Sequence, residues 1–188
     1  MIQLLTLIPL KLGEMLNMTV KEYKENKLNE YYQKDSEIVQ GKKLVFTVML
    51  CFVFARLLLA IVETVYSVAN NIPWGTIIVD YISLAVSLLF ALFIYKAGLK
   101  ICAFLAMAGG IVSLINLFFI QDVIANFSIG NLYYNVYIIT LIIVMTIQTI
   151  IMLLIMINKK SRKYFKTIEI VSKEIMSMQS NNNNNKLK

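Results

Sequence analysis

Five polar residues lie inside apolar stretches of this sequence, and their chemical types limit what they can do. They are Arg56, Glu63, Asp80, Asn116 and Gln148. Two carboxylates and a guanidinium can form ion pairs, bind a cation or relay a proton. Charged residues cost about 2.5–3.5 kcal/mol each at the centre of a membrane helix, so they normally face the interior of a helical bundle. The sequence therefore predicts an intramembrane polar cluster, either structural or ion-binding.

Arg56 and Glu63 lie seven residues apart, so they share one face of a helix. They are separated by ~10 Å along the helix axis. Helical side chains lean toward the N-terminus, so Glu63 leans toward Arg56 while Arg56 leans away from it. A direct ion pair within the helix is thus strained. Asp80, at the depth of Glu63 on the next apolar stretch, is the expected neighbour, and Gln148 lies near the depth of Arg56.

The cluster has three interpretations. The first is a structural ion-pair network that orients the helices and compensates Arg56. The second is an outward-facing polar pocket for a cation or a proton, built on Glu63 and Asp80. The third is contact with a transmembrane helix of a partner protein.

The remaining residues exclude most enzymatic chemistry. The chain contains no histidine, and its two cysteines, Cys51 and Cys102, lie far apart without C-x-x-C spacing. Nucleophile pairs that depend on histidine, histidine-ligated zinc or haem, and a dithiol couple are therefore not expected. No glycine-rich dinucleotide or phosphate motif is present. We expect no enzymatic activity, no metal and no cofactor.

The elements that position the cluster are long apolar helices. The composition is 59% hydrophobic and only 15% charged, with a mean hydropathy of +0.70. Crossing a ~30 Å hydrocarbon core takes about 20 helical residues. Four stretches are long enough: 44–69, 77–95, 99–120 and 132–157. The sequence predicts an all-α, polytopic membrane protein with a four-transmembrane-helix bundle over residues 44–157.

The basic residues predict the orientation of this bundle. Of 18 Lys and Arg, seven precede the first span, eight follow the last, and Lys96 and Lys100 bracket the middle turn. The other two loops contain none. Because cytoplasmic loops carry the excess of Lys and Arg, both termini are expected in the cytoplasm of a multi-pass cell-membrane protein. The net charge of +7 is then explained by an anionic inner leaflet rather than by nucleic acid.

The segment before the bundle, residues 1–43, divides into two parts. The first 18 residues are apolar but too short to span, and they are either an interfacial helix or sequence that precedes a true start at Met15 or Met18. Residues 19–43 mix both charge signs, and Thr19 with Glu22 forms a capping box. This second part is predicted to be a solvated cytoplasmic helix.

The segment after the bundle, residues 158–188, is a basic tail. Its apolar stripe consists of Phe165, Ile168, Val171, Ile175 and Met178. The stripe predicts an amphipathic helix on anionic lipid or on a partner, or else a continuation of span four. The run of asparagines near the end is predicted to be disordered.

Small residues predict close packing of the third span. Ala106 with Gly110 and Gly109 with Ser113 have the small-x-x-x-small spacing that lets helix backbones approach each other. The two halves of the chain show no convincing internal repeat.

Together these features favour a non-enzymatic accessory, regulatory or immunity-type protein that acts through a partner in the bilayer. The alternative is a small transporter or channel subunit for a cation or proton that uses Glu63 and Asp80. A partner membrane protein is expected in the first case and a homo-oligomer in the second.

Overall fold

A computed structural model describes residues 20–119 and 132–186 of the chain. Every element in these two ranges is helical. In chain order they are α1 (Val20–Lys34), α2 (Ser36–Ala69), α3 (Trp74–Leu92), a short π-helix (Phe93–Ala97), α4 (Lys100–Phe119), α5 (Leu132–Ile157) and α6 (Lys159–Lys186). The predictions for the first 18 residues and for the Thr19 capping box lie outside the described residues.

Four of these helices are long and apolar enough to cross a membrane. They comprise Ser36–Ala69, Ile77–Ala97, Lys100–Leu117 and Leu132–Ile157. The prediction of an all-helical chain with four candidate spans is therefore confirmed. We call the end at which α2 begins and α5 ends the basic end, and the end at which α3 and α5 begin the aromatic end.

The helix α2 lies at the centre of the packing. It contacts both α3 and α5, and α5 in turn packs against α4. The helices α3 and α4 are connected at the basic end by the π-helix and Gly98, whose φ of 65° is left-handed. Glycine adopts this conformation without the steric cost of a Cβ, so it ends the helix there.

The break between α1 and α2 is set by Asp35. Its backbone is extended, and its side chain accepts a hydrogen bond from the Glu37 N–H at 2.8 Å. An aspartate in this role satisfies a backbone donor that has no partner in the first helical turn. At 34 residues, α2 is longer than a bilayer requires, so its first turns extend past the span at the basic end.

The helix α6 begins with a cap of its own at Asn158. The Asn158 side chain accepts hydrogen bonds from the N–H groups of Lys160 at 2.9 Å and Ser161 at 3.3 Å. From this point α6 packs against α2 and α1. It is therefore not a plain continuation of span four. The structure extends α6 through the asparagine run, and the predicted disorder of that run stays a prediction.

The apolar stripe of α6 is covered by the chain itself. Phe165, Ile168 and Val171 are buried, and Ile175 and Met178 are partly buried. Phe165 and Ile168 belong to the same apolar core as Val45 and Met152. The sequence predicted that this stripe contacts lipid or a partner. In the structure it packs against the chain itself and covers the basic end of the bundle.

Glycine allows α4 and α5 to approach closely. A Cβ added at Gly110 would lie 2.6 Å from the Thr149 hydroxyl and 3.3 Å from the Met145 carbonyl oxygen. Gly109, by contrast, has open space around it and is exposed. Of the two small-residue motifs in this helix, Ala106 and Gly110 are therefore at the α4–α5 contact, whereas Gly109 faces outward.

Candidate functional site

The polar residues of α2 lie on its buried face. Phe52, Ala60 and Ser67 are buried, and Arg56 and Glu63 lie between them and are partly buried. Spacings of three and four residues place all five on one side of a helix. The structure thus brings both charged residues of α2 to the face that packs against the neighbouring spans.

Contacts between α2 and α5 fix the register of the two helices. The Tyr66 and Tyr137 rings stack with centroids 5.0 Å apart at the aromatic end. Seven residues further toward the basic end on each helix, Leu59 and Val144 share an apolar cluster. The two helices are therefore antiparallel.

This register places Arg56 and Gln148 at about the same level of their helices. Arg56 lies three residues beyond Leu59 toward the basic end, and Gln148 lies four residues beyond Val144 in the same direction. A level shared by these two residues was predicted from their depths in the apolar stretches. The antiparallel contacts support that placement.

The Arg56 side chain has no ion-pair partner among the described residues. Its Nε atom is buried and has no hydrogen-bond partner within the protein in those ranges. Glu63 is near enough to attract the guanidinium electrostatically but does not form an ion pair with it. This separation agrees with the expectation that both side chains lean toward the N-terminus of the helix, so that Arg56 leans away from Glu63.

Glu63, Asp80 and Tyr137 form an electrostatic group near the aromatic end. Glu63 interacts with the charge of Asp80, and the Tyr137 phenol interacts with both carboxylates. The group joins three helices, because Asp80 belongs to α3 and Tyr137 to α5. The sequence predicted that the two carboxylates are neighbours because they lie at the same depth, and the structure places them within electrostatic reach.

Gln148 makes a contact that the sequence did not predict. Its amide nitrogen donates a hydrogen bond of 2.5 Å to the Ala106 carbonyl oxygen on α4, while its amide oxygen is buried without a partner among the described residues. Gln148 therefore links α5 to α4.

Asn116 does not join this group. The structure leaves its side chain exposed near the end of α4, so its inclusion in an inward-facing cluster is corrected. Asn116 was included in the cluster only because it lies inside an apolar stretch. Its direction around the helix axis places it on the outer face, together with exposed Val112 and Gly109.

Tyrosine rings of α2 and α5 lie near the carboxylates, and the sequence did not predict them there. Tyr66 also contacts Tyr134, with ring centroids 6.0 Å apart. Tyr134 and Tyr137 lie three residues apart, which places both rings on one face of α5. That spacing was the signal in the sequence that the two rings share a face.

Within the described ranges, no three Cys, Asp or Glu side chains come together in a way that could hold a metal ion.

A second polar cluster attaches α6 to the start of α2. Lys163 forms an ion pair with Asp35 at 3.1 Å and another with Glu37. The Glu37 N–H and then Lys163 lower the pKa of Asp35, and Lys163 lowers that of Glu37. Both carboxylates raise the pKa of Lys163 in return, with Glu37 first. These side chains are partly exposed, so the cluster is a modest, screened attachment.

Two tyrosines add hydrogen bonds to the same attachment. The Tyr164 hydroxyl of α6 donates to the Tyr95 carbonyl oxygen at 2.6 Å, which joins α6 to the π-helix. The Tyr23 hydroxyl of α1 donates to the Glu174 carboxylate at 2.9 Å. Burial, followed by Glu174, raises the pKa of Tyr23 to about 12. The helix α6 is thus fixed to three separate elements.

Replacing Lys163 with methionine is expected to lower the thermal midpoint most near neutral pH. Because the pKa values of Asp35 and Glu37 are lowered, their ion pairs stabilise the folded state above a pH of about 4, and this stabilisation is lost as the pH falls. Because the pKa of Lys163 is raised, its ion pairs stabilise the folded state below a pH of about 10.4, and this stabilisation is lost as the pH rises. The difference between wild type and K163M should therefore shrink at both extremes, as measured by thermal unfolding across pH. Exposed Lys166 provides the control K166M, and an equal, pH-independent loss in both variants would contradict the prediction.

These observations define a class of protein: an all-helical, multi-pass membrane protein whose four candidate spans carry a partly buried polar group. Comparison with protein-family models, curated protein sequences and solved structures finds no match for this chain.

Proposed function

We propose that this chain is a non-enzymatic accessory, regulatory or immunity-type membrane protein that acts by binding a partner in the bilayer. The observation that supports the proposal is Arg56. It lies near the middle of a candidate span, and among the described residues no carboxylate forms an ion pair with it. A guanidinium keeps its charge at any physiological pH, so a counter-charge in the membrane would stabilise it.

The partner that fits this residue is a transmembrane helix with a carboxylate near mid-span. Arg56 is only partly buried, and a guanidinium has five N–H donors that match a carboxylate in two-point contact. Because α3 packs mainly on α2 and α4 mainly on α5, we assign the approach of the partner to the side between α3 and α4.

We further propose that the basic end faces the cytoplasm of the cell and contacts the anionic inner leaflet. Exposed basic side chains at this end support the assignment: Lys96, Lys100, Lys159, Lys160, Arg162 and Lys166. Because the apolar stripe of α6 is buried within the chain, this contact uses charge rather than insertion of the helix.

Mass measurement of the intact complex, purified from its native membrane in mild detergent, tests the proposal. We expect a defined hetero-complex for the wild type. Replacing Arg56 with glutamine should release the partner, because the partner's carboxylate would lose its counter-charge in a low-dielectric environment. Arg162→Gln is the matched control, since Arg162 is exposed on α6 and lies outside the candidate spans.

Two outcomes would overturn this proposal. One is a hetero-complex that survives R56Q as well as it survives R162Q, which would place the contact elsewhere. The other is a monomer in the wild-type preparation. Circular dichroism of each variant confirms that the helices are retained, so loss of the partner is not confused with unfolding.

The second candidate function is a subunit of a transporter or channel for a cation or a proton. The electrostatic group of Glu63, Asp80 and Tyr137 favours it, because two carboxylates near each other can hold a cation or pass a proton. Four spans of this length rarely enclose a path alone, so this function requires a closed homo-oligomer. The same mass measurement would then show a multiple of the 21.5 kDa chain and no second protein.

A further inference from the structure

The spans carry charge at two levels without an opposite charge paired to it. Arg56 is partly buried and forms no ion pair among the described residues. Seven residues nearer the aromatic end, Glu63 interacts with the charge of Asp80, and within the same ranges neither carboxylate forms an ion pair with a basic side chain. The two levels are ~10 Å apart along α2. Because an isolated charge within a membrane is costly, a group of the opposite sign would stabilise each level.

The charged face of α2 lies between its contacts with two other helices. Leu59 and Tyr66 are on the edge that packs against α5. Thr64, whose hydroxyl lies 3.5 Å from a tyrosine hydroxyl of α3, is on the opposite edge. With 3.6 residues per turn, Arg56 and Glu63 lie between these two edges, and both are partly exposed. The face is therefore reached from the side between α3 and α4, where the proposed partner approaches.

A second copy of this chain does not complement these charges. Copies inserted in one orientation have Arg56 at one depth and Glu63 at another. At each level a copy would present the sign that is already there, and like charges repel. Lipid headgroups lie outside the hydrocarbon core and do not reach the middle of the span. The occupant that fits is a different transmembrane helix with its own charges at both levels.

We propose that the partner helix carries two charges: a carboxylate near mid-span, and a lysine or arginine about seven residues nearer the aromatic end. The inference rests on the proposed function, because it adds a second contact with the same partner. The carboxylate pairs with Arg56, and the basic side chain pairs with Glu63 and Asp80. Two helices that pack side by side have the same rise per residue, so the spacing on the partner matches that on α2. The long stem of a lysine or arginine suits a position near the end of a span.

Synthetic transmembrane peptides, added to the full chain in lipid nanodiscs, test the charge pattern. All are leucine–alanine helices of about 24 residues, long enough to cross the bilayer. The acid peptide has one glutamate at its centre. The acid–base peptide adds a lysine seven residues toward one end, and the exchanged peptide has the lysine at its centre and the glutamate at the outer position. Energy transfer from a labelled nanodisc protein to each labelled peptide measures its affinity.

We expect the acid–base peptide to bind at least about tenfold more tightly than the acid peptide, because close charge pairs of this kind contribute at least that much to affinity. Peptides that insert in both orientations lose at most half of their competent fraction, which is far below this difference. The exchanged peptide should bind more weakly than the acid peptide, because it brings lysine to the level of Arg56 and glutamate to the level of Glu63.

The double variant Glu63→Gln with Asp80→Asn should remove the advantage of the acid–base peptide and leave the acid peptide bound no more weakly than before. Glu169→Gln is the matched control, since Glu169 is exposed on α6 and lies outside the candidate spans. It should retain the tenfold advantage. The substitutions keep side-chain size, and circular dichroism of each variant reports whether the helices are retained. If the double variant does not fold, the three peptides on the wild-type chain decide.

Equal binding of the acid and acid–base peptides to the wild type would overturn the inference, and so would an advantage that survives the double variant. Absence of binding by the acid–base peptide would overturn it as well. Glu63 and Asp80 would then be left to the cation or proton path of the second candidate function. The proposed function is decided separately, by the effect of R56Q on the native complex, so the two failures are distinguishable.

Discussion

Replacing Gly41 with alanine is expected to lower the free energy of unfolding by about 1–3 kcal/mol, the usual cost of overpacking. Gly41 lies in the first part of α2, directly beneath α6. A Cβ at this position would overlap the backbone carbonyl of Lys160 and come within 3.2 Å of the Tyr164 Cβ. A backbone carbonyl in a helix cannot rotate away as a side chain can. The two helices would have to separate, and the contacts of α6 would weaken together.

Gly109→Ala is the control for this substitution. Nothing lies within 4 Å of a Cβ added at Gly109. Alanine there should leave stability unchanged or raise it by about 0.5–1 kcal/mol, because alanine is the better helix former. Thermal unfolding of both variants in the same lipid or detergent measures the difference. Equal effects of G41A and G109A would show that α6 does not pack against Gly41.

The spans were predictable because length and apolar character suffice to define them. The predicted stretch 132–157 coincides with α5, and 99–120 differs from α4 by one residue at each end. The start of α2 was not predicted, because mixed charges continue past Asp35 without a change in composition. An aspartate followed by an acidic first turn was the signal for that boundary.

The position of α6 could not be derived from its sequence. An apolar stripe on a basic helix has the same pattern whether it faces lipid, a partner or its own chain. What decides between them is the surface against which the stripe packs, here formed by the start of α2, the π-helix and α1. Those elements become neighbours only after the spans have packed, so no local sequence pattern predicts the contact.

The candidate site was predictable in depth but not in direction. Arg56, Glu63, Asp80 and Gln148 all lie on faces that are at least partly buried, as the cost of charge in lipid requires. Asn116 also lies inside an apolar stretch, but its side chain faces outward. Hydrogen bonding also depends on neighbours that the sequence does not identify, which is why the link from Gln148 to the Ala106 carbonyl was missed.

Replacing Phe165 with alanine is expected to have the largest effect, because its ring is 1% exposed where α6 meets the spans. Deletion of a buried phenylalanine side chain typically costs about 3–5 kcal/mol, from lost contacts and the cavity left behind. Here the cavity would open between α6 and the core that contains Val45 and Met152. Hydrogen exchange should therefore rise first in α6 and only afterwards in α2 and α5.

Ile170→Ala is the matched control on the same helix, because Ile170 is 42% exposed and lies outside the stripe. A substitution there should change stability by no more than about 0.5 kcal/mol. If hydrogen exchange in F165A rises in α6 alone while α2 and α5 stay protected, then α6 covers a bundle that is stable without it. Simultaneous loss of protection in all helices would show instead that α6 and the spans form one cooperative unit. If F165A exchanged its amide hydrogens at the wild-type rate, as I170A is expected to do, the packing of Phe165 against the bundle would be contradicted.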